Sequence, residues 1–399
     1  MAVATYTPPI WPVTPDWTNG ISEALEWATG VLQSDATALT RHSALRLRPR
    51  RSFSFRIVSG AQERRIAAML VAGHSGTWLL PIWPDVQCLI APVASGDLLI
   101  PCSTVGRDFA AGGKALIYQD VATWQVVDVD VVASSHIQLV AGAAAAPMGA
   151  RLYPLRRARL NGSAQETLLN DDVSNRTLTF DISESCDWPM LSAAGLYRGH
   201  LVLDVRPDES TDPECSVERS LLGVDYGTAL PFVHDLARVG LRTQQSHWKL
   251  FGRAEHTWFR SLLYTLAGRS MPVWVPSWTA DLLAVGNIPG GSKQLTVEWA
   301  GYTLHGLDNP NRADVRIELR DGTVLYRRIT GATAAGNTEM LMLDQSLAST
   351  ALAASQIRVI SFLALCVGAS DKIDIEHVTD ADGVAIATLG WQAVVPDVA

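Results

Sequence analysis

The phrase GTWLLPIWP at 76–84 returns as GRSMPVWVP at 268–276, 192 residues further on. Each copy opens on a glycine, carries tryptophan in an apolar run and closes on a proline. A chain that repeats so uncommon a phrase at one long spacing is constrained to build two similar units. Upstream, Glu63 and Glu255 keep the same spacing. Between glutamate and glycine, Ile66, Met69, Leu70 and Gly73 recur at helical intervals, as do Trp258, Leu262, Leu263 and Leu266. The pattern predicts one amphipathic helix per half, ended by glycine. Before each helix, ALRLRPRRSFSFRI (44–57) and VGLRTQQSHWKLF (239–251) alternate polar with aromatic or apolar residues, as a half-buried strand does.

After the prolines both halves turn all-β. KALIYQDVATWQVVDVDVV (114–132) predicts two strands about a short turn, followed by HIQLV. In the second half VRIELRDGTVLYRRI (315–329) carries the hairpin dipeptide Asp321-Gly322, followed by EMLMLD. GARLYPL (149–155) and SQIRVISFL (355–363) come next in the same order, and each half closes with strands near a tryptophan, Trp188 and Trp391. The spacing drifts from 192 to about 206, so the loops differ while the order persists. Between the halves RPDESTDPECS (206–216), with two prolines and four acids, is expected to be a linker. The expected fold is mainly β, a tandem duplication with one helix per unit.

Composition sets limits on partners. The chain has 399 residues and a formal charge of −8, which speaks against a general binder of nucleic acid or anionic membrane. Only 18% of residues are charged while 48% are hydrophobic. Two explanations stand side by side: large cores, or surface buried against other subunits. No apolar run approaches the roughly 20 residues that span a bilayer. The N-terminal arm, residues 1–20, is rich in proline and lacks the pattern of a secretory signal. Five cysteines, Cys88, Cys102, Cys186, Cys215 and Cys366, form no C-x-x-C pair, which implies free thiols in a reducing compartment.

No catalytic, cofactor-binding or metal residue is assigned. GHSG (73–76) is one residue short of a hydrolase elbow, and Ser75 ends a helix where an elbow serine would precede one, so a helix cap is expected. His377 alternates with Ile373 and Ile375 as a half-buried strand residue. Asp371, Asp374, Glu376, Asp380 and Asp382 have the composition of a calcium site, but Asp374 and Glu376 fall on the outward face of that strand and DADG reads as a hairpin turn. The basic runs RLRPRR (46–51) and RLYPLRRARL (151–160) are expected to be charged strand faces paired with acids. Most of the 13 tryptophans are expected to be core or interface anchors.

The stretch RLRPRRSFSFRIVSGAQERRIAAMLVAGHSGTWLLPIWPD, with FAAGGKALIYQDVATWQVVDV and PMGARLYPLRRARL after it, resembles the distal tail and minor tail proteins at the tail tip of long-tailed bacteriophages. The resemblance implies a β-sandwich with one flanking helix followed by a further small β-domain, carried here twice. The expected division is arm 1–20, first tail-tube-like module 21–84, first β-domain 85–205, linker 206–216, second module 217–278 and second β-domain 279–399. It implies a non-enzymatic virion protein, assembled in the host cytoplasm. Its expected partners are itself in a closed ring, the tail tube protein, and hub or central fibre proteins, with no membrane and no sequence-specific nucleic acid. Two modules per chain point to a trimer of pseudo-six-fold symmetry, with a hexamer as the rival. The alternative is a carbohydrate- or receptor-binding β-sandwich protein of the virion.

Overall fold

Alternation of apolar and polar residues along the chain resolves into strands whose inward side chains build a string of cores. The computed structural model describes residues 8–34, 37–192, 195–210, 212–219, 221–228, 230–235, 237–380 and 383–395. In the first half the main elements are β1 (Ile21–Glu26), β2 (Arg50–Ser59), α1 (Ala61–Gly73), β3 (Thr77–Pro81), β4 (Leu99–Pro101), β5 (Lys114–Asp120), β6 (Thr123–Ala133), β7 (His136–Leu139), β8 (Arg151–Asn161), β9 (Glu166–Leu168) and β10 (Ser174–Ile182). In the second they are β11 (Cys215–Glu218), β12 (Leu241–Phe251), α2 (Gly252–Leu266), β13 (Val273–Pro276), β14 (Gln294–Glu298), β15 (Asp314–Leu319), β16 (Val324–Ala335), β17 (Thr338–Leu343), β18 (Ile357–Gly368), β19 (Lys372–His377) and β20 (Val384–Ala393). The protein is mainly β, with antiparallel sheets and no barrel. No helix among the described residues is long and apolar enough to cross a membrane.

In the first half β2 lies between β1 and β10, and β10 pairs on its other edge with β8 and β9. β8 pairs with both β3 and β5, after which β5, β6, β7 and β4 follow one another. In the second half β12 lies between β11 and β20, and β20 pairs on its other edge with β18 and β19. β18 pairs with both β13 and β15, after which β15, β16, β17 and β14 follow. A parallel contact meets β3 at Ile10 and β13 at Leu201–Val202. The halves meet where β19 pairs with the outer edge of β1.

Among the described residues the first half has two cores and the second has three, the third of these being Val202, Trp274, Leu363, Leu365, Val367 and Val394. Trp11, Phe53, Phe55, Ile57, Trp78 and Phe180 pack with Ala67 of α1 in the first, and Ile117, Val127, Ile137 and Leu152 fill a smaller one beside it. In the second, Trp248, Leu250, Phe259, Leu262 and Trp391 enclose Leu25 and Trp27 from the first half, and Val297, Ile317, Leu341 and Ile360 form the smaller core.

Several expectations change. The split at 84/85 does not separate two bodies, because β8 and β10 return to pair with β3 and β2. The division at 278/279 changes in the same way, since β18 and β20 pair with β13 and β12. The stretch 206–216 is more than a linker: Asp208 bridges His247, and β11 begins at Cys215, because the edge of β12 offers unpaired backbone groups to any chain running beside it. Residues 46–49 are not strand, as Pro49 breaks the run, and Leu45 and Leu47 are exposed. Trp274 lies in β13 as expected, whereas Trp83 follows β3 in a 3₁₀ turn, so the strand positions of the two phrases correspond through Pro81 and Pro276. Gly268 has φ +71, and a Cβ there would collide with Asp371 and Trp27, so this landmark is fixed by backbone conformation as well as space.

Trp83 and Trp274 are each 2% exposed. Replacing either by alanine should cost about 3–5 kcal/mol of folding free energy, read from the shift in urea midpoint.

Candidate functional site

The singled-out residues do not converge. Ser75 is exposed beyond the end of α1, whose cap is His74, not the serine. His74 itself bonds the Thr77 carbonyl at 2.9 Å and lies edge-on to Trp78. Asp371 accepts hydrogen bonds from the Thr29 amide (2.9 Å), the Thr29 hydroxyl (2.7 Å) and the Arg269 amide (3.0 Å), so it staples loops together. Asp374 and Glu376 point outward on β19, and Asp382 lies outside the described residues. Among the described residues no three His, Cys, Asp or Glu side chains gather as a metal site. In the basic runs, Arg46 pairs with Glu26, Arg48 with Asp187, and Arg156 with Asp108 and Glu184. Outward residues of β1, β2, β10, β19 and β20, among them Ser22, Ser54, Asn175, Lys372, Asp374 and Thr388, line a shallow polar depression of about 770 Å³ with charges of both signs.

The most organised chemistry is at the junction of the halves. In β1, Ile21, Glu23 and Leu25 share the inward face, which carries a carboxylate into the interior. Glu23 is fully buried. It accepts from Arg51 of β2 at 2.6 Å, from Arg260 of α2 at 2.5 Å, and engages His377 of β19 at 2.8 Å. Arg51 also pairs with Asp108, which is shared with Arg156. Asp85 accepts from the Asp108 amide at 2.9 Å and from Arg253 of α2 at 2.6 Å. Beside these ions the Trp27 and Tyr264 rings meet edge to face, and the Tyr264 hydroxyl donates to the Cys186 carbonyl at 2.9 Å.

The balance of burial against charge decides the protonation states. Burial pushes the Glu23 carboxyl up, but Arg260, Arg51 and His377 outweigh it and hold the group well below the ordinary carboxylate range. At Asp108 burial is likewise outweighed, by Arg51 and Arg156. His256, whose ring centre lies 5.9 Å from that of His377, is pushed down to about 4 by burial and by the neighbouring cations. Glu23 and Asp108 are therefore ionised at neutral pH, and both helix arginines, Arg253 and Arg260, reach across from the second half to acids of the first.

Two sheet edges stand open. The sheet runs β11–β12–β20–β19–β1–β2–β10–β9, and among the described residues no strand pairs with the outer edge of β11 or of β9. Val217 on β11 and Leu168 on β9 are each 63% exposed. The helices differ in the same sense. α2 buries Phe259, Arg260, Ser261, Leu262, Leu263 and Tyr264, whereas α1 buries only Ala67 and leaves Met69 76% exposed, against its expected role in the apolar face.

No protein-family model matches the chain, and no curated protein matches it. The junction was legible in part: ISEALE places a carboxylate in phase with Ile21 and Leu25, and WFRSLLYTL places Arg260 in an apolar helix face. A charge at an inward position demands a partner.

Two expectations follow for the junction. Glu23→Ala leaves Arg51 and Arg260 buried without their shared acid and should cost about 3–5 kcal/mol, read by urea denaturation. Stability should also fall on acidification. Glu23, Asp108 and His256 all bind protons less readily in the folded state than in the unfolded chain, so each contributes fully at neutral pH. The His256 contribution fades as pH drops from its ordinary 6.5 toward about 4, and the carboxylate contributions fade below the ordinary carboxylate range. Urea midpoints between pH 8 and pH 3 should decline in that order.

Proposed function

We propose that the chain is a structural protein of a bacteriophage tail tip, built from two copies of one ring-forming β-sandwich unit with a flanking helix. The observation that carries this reading is the matched order of pairings. Within its own half, strand n of the first set meets its neighbours as strand n + 10 of the second does, from β1 to β10, and a helix follows the second strand of each set. The sequence resemblance to distal and minor tail proteins gives the class. The chemistry is consistent with it: the buried ions act between the halves, and the open edges and the exposed α1 face outward. In this reading three chains supply six units and close a ring of pseudo-six-fold symmetry between the tail tube and the hub or fibre below it.

The purified full-length protein, imaged by electron microscopy, should show closed rings with three chains and six units about the axis. Gold-labelled antibody against the chain should decorate one end of the tails of virions from the cells that encode it. Virions without label would overturn the tail-tip assignment, and six chains per ring would overturn the trimer.

A further inference from the structure

We propose that a second copy of this chain occupies the open edge of β11, pairing there through its β9 as β19 pairs with β1 inside one chain. The inference rests on the duplicated-unit reading and goes beyond it by naming the two edges, their register and the helix that covers them.

The argument begins with what is closed. β1 has both edges filled, by β2 and by β19. β11 stands to β12 as β1 stands to β2, but only one of its edges is filled. β9 stands to β10 as β19 stands to β20, and its outer edge is open where β19 holds β1. One chain thus contains one complete junction and the two halves of a second. Those halves cannot meet within the molecule, because they lie at opposite ends of an eight-strand run, roughly 34 Å apart at the usual strand spacing. A copy of the same chain carries the matching edge in each case.

The register transfers residue by residue. The inward run of β2 ends at Ser59 before the helix cap Gly60, and that of β12 ends at Leu250 before the cap Phe251. Counting back from these, Phe53 corresponds to Gln244. Glu23 is opposite the first and Cys215 opposite the second, so Cys215 takes the place of Glu23 and Val217 that of Leu25. On the other side Ser59 is opposite Ser174 and Leu250 opposite Ala385, which makes Glu166 the counterpart of Ile375 and Ala164 that of Ile373. Within the chain Glu23 faces Ile375 and Leu25 faces Ile373. Between copies, Cys215 faces Glu166, and Val217 comes opposite Ala164, two residues ahead of β9.

The helices agree with this placement. α2 packs on its own core and also on the first half across the junction, through Arg260 to Glu23, Arg253 to Asp85 and Tyr264 to Trp27. α1 follows β2 as α2 follows β12, yet Arg65, Met69 and Ala72 are exposed. The edge that would cover it presents Cys215 and Val217 on its inward side, both exposed, while Glu214, Ser216 and Glu218 alternate to the other face. Exposed Val217 then meets exposed Met69. Each copy presents one edge of each kind, so the contact is heterologous and repeats from chain to chain until it closes.

Cysteine cross-linking of the full-length chain tests the register. Directly opposite residues of an antiparallel pair have Cα atoms about 4.5–5.5 Å apart, within disulfide reach. Val217→Cys with Ala164→Cys should give covalent dimers and trimers under mild oxidation, with loss of the ladder on reduction. Glu166→Cys should do the same through native Cys215, and adding Cys215→Ser should abolish it. As a folding-neutral check, Val217→Lys, at an exposed site, should leave the circular dichroism unchanged and release monomers whose urea midpoint no longer depends on protein concentration. Folded variants that yield no ladder, or a ladder only from the off-register pair Val217→Cys with Leu168→Cys, would overturn the proposal. Cross-linked rings that label no virion would leave this inference standing and remove only the tail-tip assignment. Labelled tails with no ladder would do the reverse.

Discussion

The arrangement of the two halves depends on one carboxylate. Glu23 comes from the first half and is gripped by Arg51 of its own sheet, Arg260 of the second half's helix and His377 of the second half's strand. Taking three charged side chains and a histidine out of water is expensive, and only a geometry that satisfies them together recovers the cost. A slip of β1 by one residue against β19 would turn Glu23 to solvent and strand both arginines inside. The ions therefore specify how the halves meet, while burial of Leu25 and Trp27 in the second core supplies the driving force.

The local pattern of the sequence carried most of the secondary structure. Phe53 and Phe55 alternating with serines made a strand, Asp321-Gly322 turned a hairpin, and Ile373, Ile375 and His377 lined one face of β19. What it did not carry was pairing between distant segments. Nothing in GARLYPLRRARL says that it returns to Thr77–Pro81, so the strands after Pro84 read as a separate domain. The stretch before β11 read as linker because it combines two prolines with four acids, though its last residues pair with β12. The junction left a trace, a glutamate in phase with Ile21 and Leu25, but the identity of its partners depended on tertiary placement alone.

Two helices with matched positions have different surroundings, and their sequences record it. α2 carries Phe259, Leu262, Leu263 and Leu266 toward its core and a second, polar set toward the first half. α1 carries Ala67 and Leu70 inward and leaves arginine and methionine on the matching outer side. Arginine suits that exposed side, since its long stem covers apolar surface while its head stays hydrated.

The β1–β19 pairing also orders events during synthesis. Glu23 and His377 are 354 residues apart. At ribosomal speeds of about 5–20 residues per second the outer edge of β1 waits roughly 20–70 s for its own partner strand. Through that interval Leu25 and Trp27 have no core to enter, and the edge can accept the equivalent strand of another nascent chain on the same message. Such an exchange would reproduce every native contact and yet tie two chains together as a domain swap. The edge that β1 presents from residue 21 onward is therefore made long before the strand that completes it exists.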